Sequence, residues 1–260
     1  MRCFRILLLM CLSAWGTAGF SQIKDADLPS YLAGVTERGR DLYAYDQAAW
    51  HGTDAFFELH PDTSGLTHYV CLKTAKGWLV IFPKWNVAHD HLIAAYEARE
   101  TEQSGVFKAT AVDPQRETSD ALIPMERALE TATSDFKAEA RPYNTAVLPA
   151  PNGQLYVYIY PGQTKETVWP IGGDVRYTIS ADGTQIIERR QMHKTILDIE
   201  YDPKMHVVAG YHVHVLSYVP EDTDVLCVLE RRPSMPEYVG TPDKRVFVIQ
   251  TDGTITLAKK

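Results

Sequence analysis

The sequence is short of positive charge, of cysteine and of long apolar runs, and each shortage excludes a class of protein. Lys and Arg number 26 against 33 Asp and Glu, with no basic cluster, so the phosphate neutralisation that nucleic-acid binding requires is not supplied. No segment after residue 21 approaches the roughly 20 apolar residues needed to cross a bilayer, so no transmembrane segment is expected in the mature chain. The G-x-S-x-G elbow, the H-E-x-x-H helix, the phosphate-binding loop and the dinucleotide fingerprint are all missing. Their absence removes the familiar serine hydrolases, zinc peptidases and nucleotide enzymes as leading readings. An apolar content of 45% over 260 residues leaves no room for a disordered or low-complexity reading.

What is present begins with the layout of a secretory leader. Arg2 and Arg5 precede an apolar run from Ile6 to Trp15, followed by small residues up to Ser21, which is the layout of an exported precursor. Residues 1–21 are expected to be removed, with cleavage after Ala18 or Ser21, and the mature protein to be periplasmic or secreted. Removal takes away two arginines and no acid, moving the net charge from -7 to -9, and leaves Cys71 and Cys227 as the remaining cysteines. In an oxidising compartment, with both residues in strand-like apolar segments, they are expected to form a disulfide.

The mature chain, residues 22–260, reads as a single β-rich domain. Residues 22–40 look like a loosely held opening segment, and Leu42 to Phe57 is ambiguous between strand and helix. Thr67 to Lys73 with Trp78 to Phe82, and Leu92 to Arg99 with Val106 to Val112, read as two hairpins. Near 119–139 the apolar period changes to three and four through Leu122, Met125, Leu129, Ala132 and Phe136, which predicts one amphipathic helix packed on a sheet. Beyond Tyr143, turn pairs such as Asn152-Gly153 and Asp182-Gly183 separate short strands, Val225 to Glu230 among them. The fold class expected is mainly β (α+β), an antiparallel sandwich or open barrel with that helix on it.

The segments YAYDQAAWHGTDA, PNGQLYVYIYP, PIGGDVRYTISADGTQIIERRQMHKTIL and LERRPSMPEYVGTPDKRVFVIQTDGTI resemble a group of uncharacterised exported bacterial proteins, over most of the mature chain. The resemblance implies export and transfers no activity and no site residue.

Histidine placement is the one suggestive chemical feature. Along His206 to Tyr218 the odd positions are apolar, so His212 and His214 share the opposite face about 7 Å apart at Cα. A hairpin turning at Asp202-Pro203 would lay Lys194 to Glu200 antiparallel to His206 to Val215 and set His193 opposite His212. Three imidazoles from adjacent strands make a zinc-type site with a fourth position for water, provided the register is not shifted by one residue. The competing account is hydrogen-bonded histidines on a half-exposed sheet face.

The other groups weighed have simple structural accounts. They are His89 and His91 around Asp90, Trp50-His51 with Asp46 and Asp54, and the arginine pairs Arg189-Arg190 and Arg231-Arg232. The alternating Tyr156, Tyr158 and Tyr160 suggest cross-strand packing or a sugar-stacking platform. The function expected is a non-enzymatic module, without a cofactor, that binds a small ligand or an envelope partner. The alternative is a zinc-dependent hydrolase or lyase centred on His193, His212 and His214.

Overall fold

A computed structural model describes residues 23–200, 204 and 206–258, so the leader expected at residues 1–21 and the Asp202-Pro203 turn lie outside the described residues. The chain opens with helix α1 (Leu28–Phe57), whose buried positions Leu28, Leu32, Val35, Gly39, Leu42, Tyr45, Ala49, Gly52 and Phe56 recur at spacings of three and four. Pro29 occupies the first turn, where its missing N–H costs nothing. Strands β1 (Val70–Thr74), β2 (Gly77–Trp85), β3 (Leu92–Glu100) and β4 (Phe107–Glu117) then form an antiparallel meander, which contains both predicted hairpins.

Helix α2 (Leu122–Asp135) is the predicted amphipathic helix, burying Leu122, Leu129 and Ala132 with Ala128 and Glu126. After it come β5 (Tyr143–Pro149), β6 (Leu155–Pro161), β7 (Val168–Gly172), β8 (Val175–Ile179), β9 (Ile186–Gln191) and β10 (Ile196–Glu200). Four of these make an antiparallel sheet in the order β5-β6-β8-β9, while β7 and β10 pair as a separate ribbon. The last part holds β11 (Gly210–Val213), helix α3 (Asp222–Glu230), β12 (Glu237–Gly240), β13 (Val246–Ile249) and β14 (Ile255–Leu257). Here β11 runs parallel to β12, and β12, β13 and β14 follow antiparallel. The protein is therefore mainly β with packed helices, and none of its sheets closes into a barrel among the described residues.

Helix α1 is the spine, about 45 Å long at 1.5 Å per residue. Its first turns bury Leu28, Leu32 and Val35 against Val225 and Val228 of α3 and Val239, Phe247 and Ile249 of the last sheet. Its second half joins a larger core with Val80 and Phe82 of the meander, Leu129 of α2 and Tyr158 of β6. Two glycines allow this closeness. A Cβ on Gly39 would stand 2.4 Å from Val225 Cβ, and one on Gly52 would stand 2.5 Å from a Val80 methyl.

Several expectations are corrected. Residues 28–40 are helix and not a loose opening, because Leu28, Leu32 and Val35 are buried on one face and Gly39 sits where Val225 approaches closely. Val225 to Glu230 belongs to α3, set by a capping box in which the Glu221 and Asp224 side chains each accept a backbone N–H of the other residue. The His206 to Val215 hairpin with Lys194 to Glu200 does not form. Instead β10 takes β7 as its partner, in the register Ile196 to Gly172, and β11 takes β12. The Cys71–Cys227 disulfide is absent: both are free thiols, Cys71 inside β1, where its N–H donates to the Tyr45 hydroxyl, and Cys227 on α3. Burial pushes both thiols up, as expected of cysteines serving as small hydrophobes.

Candidate metal centre

His193, His212 and His214 do converge, by a route other than the predicted hairpin, and Asp224 joins them. His193 lies in the connection after β9, pressed by the β7 turn, where Gly172 at φ +88° leaves room for it: a Cβ there would stand 3.0 Å from His193 Cβ. His212 is on β11, and His214 follows that strand, with its backbone N–H bonded to the Gly240 carbonyl at 2.8 Å. Asp224 is the third residue of α3, fixed by the capping box. All four are buried, at 9%, 6%, 1% and 1% exposure.

The alternation along β11 holds. The histidines face inward, while Tyr211, Val213 and Val215 are 62%, 53% and 64% exposed. Burying them costs little because every ring nitrogen has company. His193 Nδ1 lies 2.7 Å from Asp174 Oδ1, His212 Nδ1 2.8 Å from Glu237 Oε1, and His214 Nδ1 3.0 Å from the Val219 carbonyl. These three oxygens accept, so each Nδ1 carries the proton and donates it, which leaves each neutral ring with a bare Nε2 lone pair. The orienting groups are held in turn: Thr223 donates to Asp174, Arg231 to Glu237 at 2.6 Å, and the Glu221 N–H to Asp224 Oδ2 at 2.7 Å.

The three Nε2 atoms point at one another. His193 to His214 is 2.9 Å and His212 to His214 is 3.1 Å, and an Asp224 oxygen stands 3.1 Å from each of the three. Asp224 Oδ1 is buried and has no hydrogen-bond partner despite two nitrogens at that distance. Lone pairs facing lone pairs repel unless a cation lies between them. A tetrahedral zinc ion with bonds of about 2.0–2.1 Å separates its ligands by about 3.3 Å, a little more than the 2.9–3.1 Å contacts here, and all four donors lie within 4.8 Å of one another. The donor set of neutral imidazoles and one carboxylate suits a divalent transition metal, and the carboxylate and carbonyl behind each ring are the usual outer partners of such ligands. With protons in place of an ion, burial opposes charge on the rings, but Asp174 and Asp224 outweigh it and hold His193 well above the ordinary imidazole range. Asp224 and Glu237 likewise lift His212 to about 9, against the effect of burial. Burial would raise Asp224, and the three histidines overcome it and hold it well below the usual carboxylate range.

The other weighed residues stay apart from this centre. His206 is exposed and outside the group, and His89 stacks on Trp85 at 4.7 Å in a turn tied by Asn86 and Asp90. The arginine pairs are engaged within the protein: Arg189 with Asp135, Arg190 with Glu221, Arg231 with Glu237, and Arg232 on the last carbonyls of α3. Tyr158 and Tyr160 are buried and donate to Asp222 and Asp46, so the row as a whole is packing, and of the three tyrosines Tyr160 alone borders a cavity. Trp50 and His51 stack on each other at 5.0 Å beside a cavity of about 670 Å³. Its lining includes His193 and Asp174 as well as Asp46 and Glu230.

Sequence reasoning missed Asp224, Asp174 and Glu237. The signal for Asp224 was the Glu221-x-x-Asp224 spacing of a helix start, ten residues beyond His214. No family model matches the chain, and no curated protein or solved structure is matched by it.

Proposed function

We propose that this chain is an exported metal-binding protein in which His193, His212, His214 and Asp224 hold one divalent transition-metal ion, zinc first among them, and that it works as a binding module and not as a metal-dependent hydrolase. The observation that carries the reading is the convergence of three Nε2 atoms whose Nδ1 protons are already committed, against a carboxylate oxygen with no donor. Four protein donors complete a tetrahedral shell, whereas a catalytic zinc keeps a position for water. The ion's task is then to fasten the β9 connection, β11 and α3 together, and the adjoining cavity is where a ligand sits.

Metal analysis of tag-free protein purified without chelator is expected to find one zinc per chain, and Asp224→Ala and His212→Ala to lose it. If these variants do not fold, cobalt substitution of the unmodified protein gives a second readout, since tetrahedral cobalt has intense visible bands. A folded, metal-free protein that takes up neither zinc nor cobalt overturns the reading. Export is tested separately, by fractionating the native host and sequencing the mature N-terminus.

A further inference from the structure

The cavity beside the centre has a chemistry of its own. Its volume of about 670 Å³ lies within the range of small-molecule sites. Trp50, Tyr69, Tyr160 and Trp169 supply aromatic surface to its wall, and Gln47, Asn144 and Gln163 supply planar amides. Asp46 accepts from the Tyr160 hydroxyl at 2.5 Å and from Asn144 at 3.4 Å, and Glu230 lies against it from α3. Burial first, and then Asp46, hold the Glu230 carboxyl well above its usual range, so Glu230 offers a donor beside the accepting oxygen of Asp46.

Two further wall groups are unspent. The Trp169 indole N–H and the Thr53 hydroxyl are shielded from solvent and have no hydrogen-bond partner among the described residues. A ligand that satisfies this wall must accept from an indole, exchange hydrogen bonds with carboxyls and amides, and present flat apolar faces to aromatic rings. A protonated amine cannot accept from Trp169, and an anion would face Asp46, Asp54 and Asp174 as well as Arg232.

We propose that this cavity binds a saccharide, whose hydroxyls both donate and accept and whose ring faces stack on tryptophan and tyrosine. The proposal rests on the binding-module reading and not on the metal.

The test is titration of the intact mature protein with soluble chito-, cello- and malto-oligosaccharides, followed by tryptophan fluorescence and calorimetry, with spermidine as a cationic comparison. At least one series is expected to bind saturably below about 10 mM, and spermidine not to compete. Trp169→Phe, which keeps a ring and loses the N–H, is expected to weaken binding roughly tenfold, and the near-isosteric Thr53→Val to weaken it less. No saturation by any of the three series overturns the proposal. So does binding that survives both variants unchanged, or spermidine displacing the sugar. Zinc is measured on the same samples, so a zinc-free protein that binds sugar overturns the metal reading alone, and a zinc-loaded protein that ignores sugar overturns this one alone.

Discussion

At the scale of single residues, the protein spends its buried charge in two places with different logic. Around Asp224 three histidines balance the carboxylate, while at Glu230 burial and the charge of Asp46 outweigh Arg232 and hold the carboxyl well above its usual range. That has a definite sign in stability. The native state retains a proton that the unfolded chain releases in the ordinary carboxyl range, so stability falls as pH rises above that range, by about 1.4 kcal/mol per pH unit for one proton, until native Glu230 itself ionises. Glu230→Gln removes the group, leaving Asp46 of α1, Tyr160 of β6 and Arg232 around a neutral amide. Urea midpoints taken at about pH 5 and about pH 8 are expected to differ less in the variant than in the parent, with the variant gaining at the alkaline end. Equal slopes would mean that Glu230 holds no extra proton in the native state.

At the scale of elements, α1 is the joint between the two cores, and its glycines are where it is most exposed to mutation. Gly39→Ala places a methyl against Val225 and the Asp222 carbonyl, at distances no repacking of side-chain ends can absorb. The helix itself would favour alanine by roughly 1 kcal/mol, so a net loss measures the crowding directly. Overpacking of this kind costs about 1–3 kcal/mol, and chemical denaturation is expected to show a net loss. An unchanged or raised midpoint would show that α3 can move away. Because Asp224 lies two residues from Asp222 on α3, the same variant is expected to hold zinc less tightly in competition with a chromogenic chelator.

At the scale of the whole molecule, the centre gathers ligands from the β9 connection, from β11 and its exit, and from α3, segments that otherwise share few covalent constraints. An ion bound by the native state and not by the unfolded chain stabilises through mass action, so chelation is expected to lower Tm by more than about 5 °C. Asp224→Ala, already without the ion, is expected to show no further fall with chelator.

The sequence by itself determined the local periods: both hairpins of the meander, α2 through Leu122, Leu129 and Ala132, and the shared face of His212 and His214, because these follow from side-chain spacing along one segment. Which segments meet depended on packing between distant parts of the chain. A strand's hydrogen-bonding edge accepts β7 or β11 alike, so the spacing of Ile196 and Ile199 could not say that β10 pairs with β7. Nor could alternation say which side of β11 is inside, since a histidine face is costly to bury until Asp174, Glu237, the Val219 carbonyl and Asp224 arrive from other parts of the chain to satisfy it.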